Sequence, residues 1–341
     1  MYNYEITPRL LKLIKSISLQ IQLMDNQRFT NVVLMELQKS ATELSSYSST
    51  SIEGNPLPLT EVRKILKFRP KQIIDSEREV IQYNDTLIWL NDQVRSEKFK
   101  LDHKTIVTTH SQLMKGLLPK IKLNNYRKES VFVNNPKTRK AIFLPPDHQE
   151  VLSLMTKLVN YVNENIGSID PLILAGIFHK QFVLIHPFID GNGRTVRLIT
   201  KALLASLGID TFFLFSFENY YNQNVSKYFS KVGERGDYYD LADKLSFTEW
   251  LEYFCEGILD ELYRVQKIIT QHTASPSLVS SEVQNKILTF IDKHGYIKDV
   301  DYAKFTNRAK ATRTLDFNKL IKMNLIERHG KGPATYYKRK I

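Results

Sequence analysis

The chain has 341 residues, of which 42% are hydrophobic and 25% charged, and its formal net charge is +12. These values are ordinary for a soluble globular protein with a large core and two or three modules. The single cysteine, Cys255, excludes an internal disulfide and a cysteine-based metal cluster. No signal peptide and no uncharged apolar run of roughly 18 residues is evident, so we expect a cytoplasmic protein without a membrane partner.

The positive charge is concentrated near the C terminus. Residues 278–341 hold fourteen Lys and Arg against six Asp and Glu, a net charge of +8. An acidic partner would therefore bind this part of the chain.

The first half of the chain is helical in pattern. Apolar residues recur at helical spacing from Leu10 to Leu44, and neither Gly nor Pro occurs between Leu10 and Glu53. The breaker Gly54-Asn55-Pro56 ends this run. Further helices are predicted over residues 59–68, 76–91 and 106–117.

Residues 130–146 have the composition of strands, unlike the helical segments before them. Two β-branched and aromatic runs flank the turn at residues 134–137, which predicts a solitary β-hairpin inside a helical protein. Because two strands alone are marginally stable, such a hairpin serves either as a flap or as a simple structural excursion.

Helices are predicted again over residues 149–163, 212–228 and 247–269, and Thr273–Ser277 has the composition of a linker. Beyond it, the pattern predicts helices ending at His294, over 300–305 and over 309–323, followed by two strands around a glycine-rich turn. Three helices and then a hairpin is the order of a winged helix-turn-helix.

The third of these helices would place Leu315, Leu320 and Ile321 inward. The exposed basic candidates for DNA contact are Arg308, Lys310, Arg313 and Lys319. Because winged helices also bind proteins, DNA and protein partners are both left open.

A twelve-residue segment, 186–197, carries the chemistry. It has the sequence His-Pro-Phe-Ile-Asp-Gly-Asn-Gly-Arg-Thr-Val-Arg and lies between two apolar runs, which predicts a tight loop joining two buried helices. Gly191 and Gly193 allow successive N–H groups to converge, and the helix that follows adds partial positive charge, so the loop is suited to bind phosphate. Arg194 and Arg197 stand where a calcium loop would need carboxylates, and the Lys of a Walker loop is absent.

This segment resembles, at every specified position, the HPFx[D/E]GNGRxxR signature of Fic-domain proteins. The resemblance implies an all-helical core over roughly residues 50–265. It also implies a protein adenylyltransferase, which transfers AMP from ATP to a Ser, Thr or Tyr hydroxyl of a target protein or of itself.

The resemblance also implies residue roles. His186 would be the general base and Asp190 would hold Mg²⁺. The phosphates would be bound by Gly191, Asn192, Gly193, Arg194 and Arg197. Phe188 would anchor the loop in the core.

Three further segments fit the same family. The hairpin resembles its flap, on which Val131, Phe132, Val133 and Asn134 would dock an extended target segment. Tyr220 and Asn224 match residues on its adenine side. Residues 49–55 resemble its [S/T]xxxE[G/N] inhibitory motif, in which Ser49 and Glu53 share a helix face, and Glu53 would pair with Arg197 and hold ATP in a non-reactive pose.

The sequence thus predicts a mainly α fold in four parts. These are an N-terminal helical region with its inhibitory helix (1–105), a Fic-type catalytic core with a β-hairpin flap (106–270), a linker (271–280) and a winged helix-turn-helix (281–341). The expected small molecules are ATP and Mg²⁺, and the expected partner is a target protein, with a homodimer left open. Alternatives are a Fic-fold enzyme that uses another nucleotide or removes AMP, and a DNA-binding regulator with a nucleotide-sensing core.

Overall fold

The computed structural model describes residues 2–25, 31–134, 141–209, 213–214, 216–274, 282–322, 325–330 and 332–340. The chain divides into two compact units. The core unit contains Met1–Gln27 and Leu37–Lys267, and the C-terminal unit contains Arg28–Glu36 and Ile268–Ile341. None of the described helices is long and apolar enough to cross a membrane.

Twelve α-helices of the described residues lie in the core unit, α2 and α12 only in part. They are α1 (Pro8–Asp25), α2 (Asn31–Ile52), α3 (Leu59–Phe68), α4 (Asp75–Arg95), α5 (His103–Leu113), α6 (Val151–Glu164), α7 (Pro171–Ile185), α8 (Asn192–Ser206), α9 (Phe217–Gln223), α10 (Val225–Val232), α11 (Tyr238–Leu241) and α12 (Thr248–Ala274). A short 3₁₀ turn lies at Lys120–Lys122.

The central helix of the core unit is α7. Asp170 caps it by accepting a hydrogen bond from the Leu172 N–H at 2.8 Å, and Pro171 occupies its first turn. Its side chains are buried on nearly every face, as expected of a helix that is apolar all round. Trp250 of α12 donates its indole N–H to the Gly176 carbonyl at 2.7 Å, which joins α12 to α7.

The predicted hairpin is present, but the prediction that it has no sheet to join is wrong. Strands β1 (Val133–Asn134) and β2 (Ala141–Leu144) are antiparallel, and β3 (Gly236–Asp237) pairs with β2 in parallel. Strand β2 is therefore the centre of a three-stranded sheet. The third strand has only two residues, which carry no β pattern in the sequence. The predicted turn lies outside the described residues except for Asn134.

The helix predicted over 212–228 is in fact two helices. Between α9 and α10, Asn224 adopts a non-helical conformation, and its side chain accepts a hydrogen bond from the Lys227 N–H at 3.0 Å. Asn is a favoured N-cap residue because its side chain satisfies such a free N–H. The break therefore starts a new helix at Val225.

The C-terminal unit has the predicted order of elements. Helices α13 (Glu282–His294), α14 (Asp299–Ala303) and α15 (Lys310–Lys322) precede the antiparallel strands β4 (Ile326–His329) and β5 (Tyr336–Arg339). A 3₁₀ turn at Gly332–Ala334 lies between the strands. Helix α12 extends to Ala274, so residues 271–274 of the predicted linker are helical, and residues 275–281 lie outside the described part of the chain. Whether these elements form a DNA-binding winged helix stays a prediction.

The prediction that Leu315 of α15 faces inward is wrong. Leu315 is 66% exposed because Phe317 and Leu320 occupy the inward face, on the opposite side of the helix. Arg308 and Arg313 make paired contacts to Asp316 and Asp299, each at about 2.8 to 2.9 Å. Lys310 is exposed. Two of the four expected DNA-contacting cations are thus already paired with carboxylates within the unit.

A buried ion pair fixes α2 within the core unit. Lys201 of α8 lies 3.1 Å from Glu218 of α9, with side-chain exposures of 3% and 0%. Tyr83 donates to Glu218 at 2.8 Å, and Lys201 donates to Ser45 of α2 at 2.6 Å. Because each charge is paired and hydrogen-bonded, the cluster can exist in the interior.

We expect Glu218→Gln to destabilise the core unit by about 3 to 5 kcal/mol, because it leaves the Lys201 ammonium buried and unpaired. Urea unfolding followed by tryptophan fluorescence measures this, since both tryptophans, Trp89 and Trp250, lie in this unit. The control is Glu249→Gln, which breaks an exposed pair with Lys231 and should cost about 1 kcal/mol or less. Equal losses in the two variants would contradict the expectation.

Candidate active site

Residues 186–191 of segment 186–197 form the predicted loop between α7 and α8, and residues 192–197 are the first turns of α8. Helix α7 ends when His186 adopts the left-handed conformation, with φ 51° and ψ 59°. Gly191 is also left-handed at φ 79°, and a Cβ there would lie 2.7 Å from the Met114 sulfur. The backbone is therefore tightly turned at both ends of the loop, and α8 begins directly after Gly191.

Asn192 holds the loop closed. Its side-chain oxygen accepts from the Phe188 N–H at 2.9 Å, and its amide donates to the Phe188 carbonyl at 2.8 Å. The residue is 3% exposed. Its observed contacts shape the loop, and a contact between its side chain and phosphate stays a prediction.

A histidine that the sequence reading missed lies beneath the loop. The His110 ring stacks on Phe188 at 3.7 Å, and its Nε2 donates to the Asp190 carbonyl at 3.0 Å. Its Nδ1 has no hydrogen-bond partner among the described residues. Burial lowers the pKa of His110 to about 4, so it is neutral at physiological pH. His110 lies 80 residues from Asp190 in sequence, and no local pattern connects the two.

The imidazole of His186 is oriented by its own helix. Its Nδ1 lies 3.2 Å from the Val183 carbonyl, which can only accept, so Nδ1 carries the proton and Nε2 carries a lone pair. Burial lowers the pKa of His186, and the positive charge of Arg127 lowers it further. The ring is therefore neutral near pH 7, as a general base must be.

The two motif arginines are buried at the N-terminal half of α8. Arg194, 4% exposed, has Nη1 3.2 Å from Glu79 of α4 and Nη2 3.3 Å from Asp190. Arg197 is fully buried and its Nη1 lies 3.5 Å from the Tyr228 hydroxyl. Together with the free N–H groups of the first helical turn, they place hydrogen-bond donors and positive charge at this helix end.

Arg197 is held by the segment predicted to be inhibitory. Its Nε donates to Ser49 Oγ at 2.8 Å, and its Nη2 donates to the Ser49 carbonyl at 2.9 Å and to Glu53 Oε1 at 2.8 Å. The Glu53 carboxylate also lies directly over Gly193, where a Cβ would collide with it. Glu53 therefore occupies the space next to the electropositive helix end.

Helices α2 and α8 meet as an antiparallel ladder. Ser45 contacts Lys201, Ser49 contacts Arg197, and Glu53 lies over Gly193. Each step is four residues on both helices, close to one helical turn. The position of Glu53 is thus set by contacts that extend two turns back along α2.

The predicted adenine-side residues, Tyr220 and Asn224, make their contacts in other parts of the core unit. Tyr220 packs against Gly257 and Tyr253 on the α12 side, and Asn224 is exposed as the cap of α10. Tyr228, four residues after Asn224, is buried, and its hydroxyl lies within hydrogen-bond distance of both Arg197 and His179. The roles of Tyr220 and Asn224 stay predictions.

Residues 131–134 of the flap, of which the last two form β1, are partly accessible. Phe132 is 60% exposed and Asn134 is exposed, whereas Val131 and Val133 are half-buried. Because β2 is paired on both sides, an added strand would have to pair with the outer edge of β1 or of β3.

Among the described residues, no group of three or more His, Cys, Asp or Glu side chains could hold a metal. Asp190 has a 58% exposed side chain at the mouth of the loop. One carboxylate with substrate phosphates is a common way to bind Mg²⁺, so this residue fits the expected ion.

Comparison with known proteins agrees with this geometry. Residues 100–204 match the model of the Fic/DOC family, so this segment of the chain is a Fic domain. It contains the whole of segment 186–197.

The relatives are proteins named protein adenylyltransferase Fic. The one from Drosophila erecta is 30% identical over 214 residues, which cover 61% of this chain and 40% of that protein. The one from Drosophila virilis is 26% identical over 270 residues, which cover 77% and 51%. The chain thus spans about half or less of the length of these relatives. A crystal structure of a Fic family protein from Desulfovibrio desulfuricans G20 shares the fold, with a TM-score of 0.64, 20% identity and coverage of 99% and 98%.

The low pKa of His110 predicts how stability changes with pH. An unfolded histidine takes up a proton near pH 6.5, but His110 in the folded chain does so only near pH 4. As pH falls from 7 to 5 the unfolded state binds more protons, so this histidine costs about 2 kcal/mol of stability. We expect His110→Phe to lose about that much less over the same range, in urea unfolding at both pH values. An unchanged pH dependence would contradict a neutral His110.

Proposed function

We propose that this chain is a protein adenylyltransferase that moves AMP from ATP to a Ser, Thr or Tyr hydroxyl of a target protein or of itself, and that Glu53 restrains it. The observation that carries the proposal is the pairing of a neutral His186, with its Nε2 lone pair available, with the electropositive N terminus of α8. The names of the relatives support the same reaction.

In this reaction, His186 Nε2 accepts the proton of the target hydroxyl. The hydroxyl oxygen then attacks the α-phosphorus of ATP, and the bond from that phosphorus to the oxygen bridging it to the β-phosphorus breaks. The products are a phosphodiester-linked AMP and pyrophosphate. The N–H groups at the start of α8 and the guanidinium of Arg194 stabilise the negative charge of the phosphates.

Asp190 would hold Mg²⁺. When bound, the ion would neutralise part of the charge on the phosphate oxygens. Arg194 already lies 3.3 Å from the Asp190 carboxylate, so this chain orients the carboxylate without help from the ion.

Restraint by Glu53 follows from competition for Arg197. A fully buried guanidinium is costly without partners, and the carboxylate that pairs with Arg197 among the described residues is that of Glu53. The γ-phosphate of ATP would need the same Nη2 atom and the same space over Gly193. While Glu53 is in place, the triphosphate cannot take the pose in which the hydroxyl attacks in line.

We expect Glu53→Gly to raise the rate of AMP transfer by about 10- to 100-fold, since a charge-assisted hydrogen bond of about 1.5 to 3 kcal/mol no longer opposes ATP. Incubation with α-labelled ATP and measurement of label on protein tests this. Mass spectrometry of a lysate treated with the variant then reports the added mass and the target. The matched control, Glu61→Gln, removes an exposed carboxylate on α3 and should change nothing. Equal labelling by wild type and Glu53→Gly would rule out the restraint.

We expect His186→Ala, made in the Glu53→Gly background, to lower AMP transfer by about 10²- to 10⁴-fold, the usual effect of losing a general base. ATP binding, measured by calorimetry, should persist because the phosphate contacts come from α8. His294→Ala, which removes an exposed histidine of the C-terminal unit, serves as the control. A variant that keeps most of its activity without His186 would show that another group takes the proton.

A further inference from the structure

A buried arginine outside segment 186–197 lies directly behind the general base. Arg127 is 4% exposed, and its Nε donates to the His186 carbonyl at 2.8 Å. Its backbone N–H donates to the Pro187 carbonyl at 2.9 Å. The same residue therefore binds the carbonyls of the two successive peptide units that flank Pro187.

The other donors of this guanidinium also go to backbone carbonyls. Nη1 donates to Glu129 at 3.1 Å, and Nη2 donates to Pro146 at 2.5 Å and more weakly to Ile185 at 3.4 Å. No carboxylate of the described residues forms an ion pair with Arg127. An arginine buried in this way binds fixed backbone groups, and its charge remains uncompensated by a direct partner.

The carbonyls that it binds need such a donor. Ile185 and His186 end α7, where carbonyl groups lack partners within the helix. His186 is also left-handed, a conformation that non-glycine residues seldom adopt without support from their surroundings. Arg127 supplies this support and so fixes the direction in which the imidazole points.

The contact with Pro146 extends this support to the flap. Pro146 follows β2 by two residues. Strand β2 pairs with β1, the strand on which an extended target would dock. One guanidinium thus links the end of the flap to the peptide of the general base. The distance between a docked hydroxyl and His186 depends on that link.

We propose that Arg127 is a positioning residue that holds His186 and the flap in a fixed relation, so that the imidazole meets the hydroxyl of a docked target segment. This inference rests on the proposed adenylyltransferase activity. Arg127 touches neither nucleotide contacts nor the reacting atoms, and acts through the backbone of His186 and Pro146.

The charge of Arg127 adds a second effect. It opposes protonation of His186, whereas the carboxylates of Glu53 and Asp190 favour it. In the Glu53→Gly background only Arg127 and Asp190 remain among these charged neighbours. Removing the arginine charge should then raise the pH at which the base is lost.

The test compares three variants, each made in the Glu53→Gly background. Arg127→Lys keeps the charge but not the fork of donors, Arg127→Gln removes both, and Lys128→Gln is the matched control at an exposed neighbouring cation. We expect both Arg127 variants to lower kcat by about 10- to 100-fold with the KM for ATP within about twofold. Arg127→Gln should also move the acidic limb of kcat/KM to higher pH, whereas Arg127→Lys and Lys128→Gln should not.

A role confined to folding would lower the melting temperature and leave kcat per folded molecule and the acidic limb unchanged, which would overturn the proposal. NMR titration of His186, assigned with His186→Gln, gives a readout that does not need activity. If Glu53→Gly has no transferase activity, the proposed function is wrong. The Arg127 inference is tested separately: it is overturned if the pKa of His186 is the same in Arg127→Gln and in its parent. If Arg127→Gln does not fold, Arg127→Lys still tests the loss of kcat.

Discussion

The charge of Arg197 has to be compensated inside the protein, and the arrangement of the core unit follows from that requirement. A guanidinium with no exposed surface cannot lose its partners without a cost of several kcal/mol. Ser49 and Glu53 at the end of α2 meet this demand. A triphosphate is the other ligand with enough anionic oxygen to do so. Under the proposed function, the resting and the active state thus differ in which anion neutralises one buried cation.

Other buried polar contacts hold α2 in place near Arg197. Lys201 and Glu218 fix α2 one turn away from Arg197, and Glu79 both pairs with Arg194 and accepts a hydrogen bond from Asn55 at 2.8 Å. The last turn of α2 is therefore bound at both sides of Glu53.

The sequence predicted most where the functional residues are adjacent in the chain. Segment 186–197 lies within twelve residues, so its loop and the two flanking helices could be predicted directly, and the family resemblance pointed to the Glu53 contact that the structure contains. Residues that meet only in the folded chain left no such trace. His110, Arg127 and Glu79 lie 59 to 115 residues from their partners in the loop. The sequence did not predict β3, because two residues are too few to show an alternating pattern. It also did not predict that Leu315 is exposed.

The ladder between α2 and α8 has one more consequence, for the nucleotide concentration at which activity begins to respond. If ATP binds productively only when the last turn of α2 has moved away, its apparent affinity equals the intrinsic affinity multiplied by the fraction of molecules in that state. That fraction is a property of helix α2 and of its Ser45 and Ser49 contacts. The threshold of such a protein can therefore be retuned by substitutions that never touch nucleotide, target or base, through the local stability of one helix end.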